Sequence, residues 1–360
     1  MSNTPSFETY LGDTGPAALV LREWLQPVEG PDGVFFPPTF AAGDGFPGGY
    51  NIDTFPDGTS VCLIDTVGAQ ANRIEPLFAR DPYKPLVPQI VVVAGEKQVS
   101  LFEAGHRAGD AIIRCSELQQ ELHAMFQALL AGNAEPLARL APTSLVFGVW
   151  DSRDTQAKVP RLVASTIRAF RVKKLTRSAT YIPPVDYAEL GVFTEEELKR
   201  AERLEPNPLT KQGFLHVPAC GTHGGILAEG GIRRDATLSL AALRLLAAGP
   251  DPHKTNLLRR YILGLALTAF TCPPTGYLRQ GCQLVLDPTR PRELHEVYAD
   301  GRRVPAEITH EQALAFATIA AREFGVGPDR TVRFDPDRAR ADVSFDSATP
   351  DKAARKSRKK

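Results

Sequence analysis

The side chains of this 360-residue chain that could do chemistry are mostly cations and amides, gathered in four places. Residues 153–177 carry eight basic side chains, among them Arg153, Lys158, Arg161 and Arg168, against the single acid Asp154. A cluster that cannot neutralise itself calls for a polyanion more than for a merely solvated face. Gln70, Asn72 and Arg73 follow a short apolar run in DTVGAQANRIEP. Gln70 and Arg73 lie three apart and share a face if the segment is helical; the competing reading is an ordinary solvated helix surface. In EAGHRAGDAIIR, His106 and Arg107 stand beside Asp110 and Arg114. Arg107, Asp110 and Arg114 either present cations outward or close on themselves as salt bridges. Arg233 and Arg234 come after the Gly-rich stretch 221–231, at the expected start of a helix. The helix macrodipole disfavours cations there, so the pair fits an external anion that backbone N–H groups of the loop would share.

Other chemistries lack their residues. The chain has no G-x-x-x-x-G-K-[ST], H-E-x-x-H or G-x-S-x-G motif. Gly43, Gly45 and Gly48 match G-x-G-x-x-G, but Pro47 interrupts them and no strand precedes them, as a dinucleotide fingerprint requires. His216 and His223 flank Cys220 at a spacing that offers too few ligands for zinc. No metal and no cofactor is expected.

The elements that must position these groups follow from pattern and composition. Lys+Arg and Asp+Glu both number 42, so only the distribution of charge is informative. The five cysteines are odd in number and without C-x-x-C spacing, as in reduced intracellular proteins. The N-terminus shows no signal-peptide pattern. The longest uncharged stretch, Tyr261 to Leu278, is broken by Pro273, Pro274 and Gly276 and cannot be one spanning helix. The expected location is the cytoplasm.

Buried strands are expected at 60–65 (SVCLID), 89–94 (QIVVVA), 145–150 (LVFGVW), 282–287 and 331–334. Helices are expected after Thr66, at 103–115, 116–131, 235–248 and 252–271, and at 310–324 behind the capping box of Thr309 and Gln312. Residues 27–58, rich in proline and glycine, read as an irregular excursion, and 181–212, proline-rich and then locally acidic, read as an insertion. The mixture indicates an α+β or α/β domain.

The blocks IDTVGAQANRIEP, HRAGDAIIR, SLVFGVWDS with its basic continuation, and GGIRRDATLSLAALRLL occur in an order that resembles one CRISPR family. The chain is similar to the large backbone subunit of the type I-G (formerly I-U) effector complex, a Cas-seven-type member of the RAMP superfamily. The likeness runs from about residue 60 to 250 and more weakly to 335. It departs after the WDS block, where RDTQAKVPR places Pro160 in a segment that usually carries glycines and a phenylalanine.

The resemblance implies an α+β, RRM-like (ferredoxin-type) RAMP core with large insertions. On it, residues 1–59 are an irregular Pro/Gly-rich region, 60–340 the core with insertions at about 80–100 and 178–215, and 341–360 a basic, disordered tail. It implies a non-catalytic subunit that polymerises with copies of itself along a CRISPR RNA and presents the guide to target DNA. The further partners implied are a fused cap-and-processing subunit, a large subunit and a helicase-nuclease. RNA-binding residues are then expected at Gln70, Asn72, Arg73, His106, Arg107, Arg153, Lys158, Arg161, Arg168, Arg233 and Arg234, with Arg73, Arg107 and Arg161 lining one groove. The aromatic RNP signature of ordinary RRMs is missing, which fits a protein that grips phosphates and leaves bases free. The rival is a RAMP-type endoribonuclease using a loop aspartate, for which Asp65, Asp110 and Asp151 are the acids to test.

Overall fold

A computed structural model describes residues 7–343. The elements that matter here are, in chain order, β1 (Ala18–Pro27), β2 (Ser60–Asp65), α1 (Val67–Ile74), β3 (Ile90–Ala94), β4 (Lys97–Ser100), α2 (Ala111–Arg114), α3 (Gln119–Leu130), α4 (Pro142–Phe147), β5 (Val149–Trp150), β6 (Lys158–Val159), β7 (Val163–Phe170), β8 (Val172–Tyr181), α5 (Glu195–Glu202), β9 (Val217–Ala228), β10 (Ile232–Ser239), α6 (Pro252–Thr271), β11 (Cys282–Leu286), β12 (Glu293–Val297), α7 (His310–Phe324) and β13 (Arg330–Arg333).

The main sheet is antiparallel throughout. β11 and β12 share one edge of β1, and β10, β7 and β2 follow on its other side. β1 and β7 therefore run in the same sense, as do β10 and β12. The helical segment 67–147 connects the first pair, and α6 lies between the second. Two such crossovers with the strand order fourth–first–third–second define the ferredoxin-type βαββαβ unit. The fold is α+β with a curled antiparallel sheet, consistent with an RRM-like core. β8 and β9 form a long hairpin inserted between β7 and β10, and residues 182–216 with α5 sit at its far end. β3 pairs in parallel with β13 and antiparallel with β4 in a separate small sheet.

Alternation decides which sheet residues are buried. On β1, Leu19, Leu21, Glu23 and Leu25 point inward while Arg22 and Trp24 point outward. Leu19, Leu21, Ala236 and Leu238 pack with α6 and α7 in the larger core, which includes Tyr261, Phe270 and Phe316. Leu25, Ile167, Ile232 and Ile64 pack with Phe35, Tyr50 and Ile226 in a smaller one. No helix among the described residues is long and apolar enough to cross a membrane.

Several expectations are corrected. Residues 1–59 are not all irregular, because β1 forms the middle of the sheet; its alternation is masked by the charges Arg22 and Glu23. The helix expected over 103–115 breaks into short turns at Gly105 and Gly109, with Arg107 in the left-handed region at φ 55°. Of the strand expected at 145–150, residues 145–147 belong to the helix α4, whose six residues are all buried so that periodicity carries no signal, and only Val149–Trp150 is strand. The helix expected at 235–248 is strand β10 to Ser239 and only Leu240–Leu243 is helical. Arg233 and Arg234 therefore lie on a strand, not at a helix start. Of the tail expected at 341–360, residues 344–360 lie outside the described residues.

Candidate nucleic-acid interface

An open cleft of about 510 Å³ lies between the turns around residues 105–114 and the β5–β6 hairpin. His106, Arg107, Arg114, Arg153, Lys158 and Arg161 line it together with Trp150, and no carboxylate does. Local structure explains each placement. Asp151 is buried and accepts bonds from the Thr155 amide at 2.8 Å and the Thr155 hydroxyl at 2.6 Å, closing the 151–157 loop and turning Arg153 outward. Asp154, the one acid of the basic segment, is engaged by His123. Trp150 and Lys158 are cross-strand partners, and the Lys158 ammonium stands 5.4 Å from the indole centroid. Gly148 has φ +83°, and a Cβ there would lie 2.9 Å from Arg161 Cγ, so glycine is what allows the Arg161 chain to cross it. Among the described residues no ion pair joins Arg153, Lys158 or Arg161 to a carboxylate.

Arg107 forms the floor of the cleft, not its rim. It is 2% exposed, and its Nε lies 2.6 Å from Oε2 of the equally buried Glu75. The N–H is not aimed at the carboxylate and Glu75 Oε1 has no partner, so the contact is an ion pair more than a directed hydrogen bond. Phe147 lies under the guanidinium at 5.3 Å. Burial pushes the Glu75 carboxyl up, with Arg107 opposing it. Burial pulls Arg107 down, and the positive charge of Arg161 adds to that pull. Asn72 is exposed and stands 3.5 Å from Arg107 Nη2, a long contact.

Gln70, Arg73 and Arg234 belong elsewhere. They line a second, narrower cavity with Arg80 and Cys272. Here a polar belt crosses the buried face of the sheet. Arg73 Nε donates to Asp65 at 2.9 Å, Gln70 donates to the same oxygen at 2.6 Å, Ser165 donates to Gln70 at 2.9 Å, and Arg234 donates to Ser165 at 3.1 Å and to Glu23 at 2.9 Å. Glu23 and Arg234 are also register partners on β1 and β10. Arg234 is 2% exposed and fully engaged, so it cannot meet an external anion as expected. Arg73, Arg107 and Arg161 do not share one groove: the last two do, and Arg73 lies in the second cavity. Arg168 and Arg233 project from the opposite, open face of the sheet.

The structure adds Arg114 and Trp150 to the cleft. Arg114 was legible as the end of the 107–110–114 row, although its partner is Asp342 and not Asp110. Asp110 instead caps α2 by accepting from the Ile112 amide at 3.2 Å. Trp150 carried a weaker signal, an aromatic at the head of a basic run.

Residues 19–174, a little under half of the chain, match the family model described as CRISPR-associated protein GSU0053. The matched segment holds β1, the whole cleft and the strand β7. No curated protein matches the chain.

Proposed function

We propose that this chain is a CRISPR-associated, non-catalytic RNA-binding subunit of the Cas-seven backbone type, which assembles in several copies along a guide RNA and presents it to target DNA; the family-model match over residues 19–174 supports the reading. The observation that carries the reading is the cleft: Arg153, Lys158 and Arg161 converge without a carboxylate among its lining residues. Guide-based recognition leaves sequence to base pairing and asks the protein for phosphate contacts, and arginine forks and a lysine supply those. The three acids of the endoribonuclease reading are engaged or enclosed: Asp65 binds Arg73 and Gln70, Asp110 caps a helix, and Asp151 closes its own loop through Oδ2 and is 2% exposed, with Oδ1 unpartnered but buried. None is a free general base beside the cleft, which favours a binder. The fused cap-and-processing subunit, the large subunit and the helicase-nuclease are the partners this role requires.

Titration with single-stranded RNA at several salt concentrations tests the proposal. Each phosphate contact on a single strand contributes a slope of about −0.7 in log K against log salt. Replacing Arg153, Lys158 and Arg161 together by alanine is expected to flatten the slope by about 2. Mass measurement with guide RNA reads copy number. An unchanged slope in the triple variant overturns the cleft as the RNA site, and metal-dependent cleavage of labelled RNA overturns the non-catalytic role.

A further inference from the structure

We infer that the open face of the main sheet is a second binding site, built for single-stranded nucleic acid and made of residues other than those of the cleft. On this face Trp24 of β1, Arg233 of β10 and Arg168 of β7 are successive register partners and stand in one row across three strands. The Arg233 guanidinium lies 5.4 Å from the Trp24 ring and 4.8 Å from the Phe170 ring, and the two rings are 6.5 Å apart. A second guanidinium, that of Arg290, covers Trp24 at 4.4 Å. The result is a patch of π-faces and guanidinium groups, its two rings tilted by 58°, with all five residues partly or fully accessible.

Two features show that the patch is built and not incidental. Arg168 and Arg233 are directly opposite each other on neighbouring strands, an arrangement that like charges make unfavourable. Only one of them is neutralised within the sheet: Arg233 pairs with Asp235 at 2.9 Å, and Asp235 is also shared with Arg22. Arg168 holds only the Thr166 hydroxyl at 2.6 Å and, among the described residues, no carboxylate. Beneath Trp24, Gly231 adopts φ +83°, and a Cβ there would come 3.2 Å from the indole and 2.8 Å from Arg290 Nη1. Glycine at this turn leaves room for the indole and the Arg290 guanidinium.

A nucleotide matches this chemistry. Its base stacks on aromatic and guanidinium planes, and its phosphate neutralises the unpaired arginine beside them. The base faces must be free, which selects a single strand over a duplex. The sequence lacks an RNP motif, yet the sheet brings an aromatic from β1 and one from β7 to the same place.

The chain has two tryptophans, one in each site, so each site has its own reporter. Trp150→Phe leaves Trp24 as the only indole, and Trp24→Phe leaves Trp150. With oligo(U) or oligo(dT) as the probe, the Trp150→Phe protein is expected to show saturable quenching of Trp24 emission. Phe170→Ala or Arg168→Gln in that background is expected to raise the dissociation constant about tenfold, the order expected for one stacked base. Gly231→Ala, which displaces the indole without removing it, is expected to weaken quenching as well. Circular dichroism confirms that each variant is folded. Absence of Trp24 quenching while Trp150 still responds in the companion protein overturns this site and leaves the cleft standing; the reverse overturns the cleft alone. Trp24 emission that changes with protein concentration before any oligonucleotide is added also overturns the inference, by showing the face to be a contact between copies.

Discussion

Replacing Arg107 by alanine separates structural from binding arginines in the cleft. Arg107 and Glu75 are 2% and 1% exposed, and the ion pair between them is 2.6 Å long. Removing one partner of such a pair leaves the other charge buried and uncompensated, which costs about 3–5 kcal/mol. The φ of 55° does not change this figure, because alanine in the left-handed region pays about what arginine does. The carboxyl has one escape, which is to take a proton. Its folded pKa is already raised by burial, and loss of Arg107 raises it further above the unfolded value. The folded variant then binds more protons than the unfolded chain across that interval, so its stability falls as pH rises, by up to about 1.4 kcal/mol per unit. Urea denaturation followed by circular dichroism is expected to show a larger deficit at pH 8 than at pH 6. Changing Glu75 to leucine and Arg107 to methionine together is expected to recover most of the loss. Arg161→Ala, by contrast, removes an exposed side chain and is expected to alter stability by no more than about 0.5 kcal/mol while weakening RNA binding. A stable Arg107→Ala protein with a clear loss of RNA affinity would refute the assignment of Arg107 to the floor.

Two further outcomes are expected. His310, the first residue of α7, accepts at Nε2 from the Tyr83 hydroxyl at 2.7 Å and donates from Nδ1 to Thr271, whose own hydroxyl is spent on Leu267. Burial lowers its pKa, with Arg292 adding to that and Glu311 opposing; a depressed histidine contributes stability above its ordinary value near 6.5 that is lost as pH falls below it, and His310→Gln is expected to flatten this part of the stability–pH profile measured by thermal melting. Gly264 of α6 abuts α7 so closely that a Cβ would lie 2.7 Å from Ala317 Cα; Gly264→Ala is expected to cost about 1–3 kcal/mol by overpacking despite its better helix propensity, and Ala317→Gly in the same protein is expected to restore part of it in denaturant titrations.

Local signals are legible where they do not depend on distant partners. Thr309 and Gln312 form the reciprocal capping box the sequence announces, and Thr66 caps α1 through the Ala69 amide. The strands at 60–65 and 90–94 and the helix at 252–271 stand where apolar runs put them. What could not be read is what tertiary pairing decides. β1 hides because Glu23 sits inside, where Arg234, 211 positions away, lies opposite and Arg292 stands 3.5 Å off. Consecutive arginines 233 and 234 look alike in sequence, yet a strand sends one to the open face and the other into the interior. The cleft was half legible: the basic run gave Arg153, Lys158 and Arg161, but nothing local distinguishes them from the buried Arg107.

The belt of Glu23, Arg234, Ser165, Gln70 and Asp65 has a consequence for how the strands find their alignment. A slip of one residue between β1 and β10 turns every side chain to the wrong face and is forbidden by hydrophobicity alone. A slip of two residues is not, because leucine would again face leucine and alanine. That misaligned sheet would part the Glu23 carboxylate from the Arg234 guanidinium and set each opposite apolar neighbours. The belt thus works as a key among otherwise equivalent registers, and it is cut across the same strands whose outer surface carries Trp24, Arg233 and Arg168 in a single row.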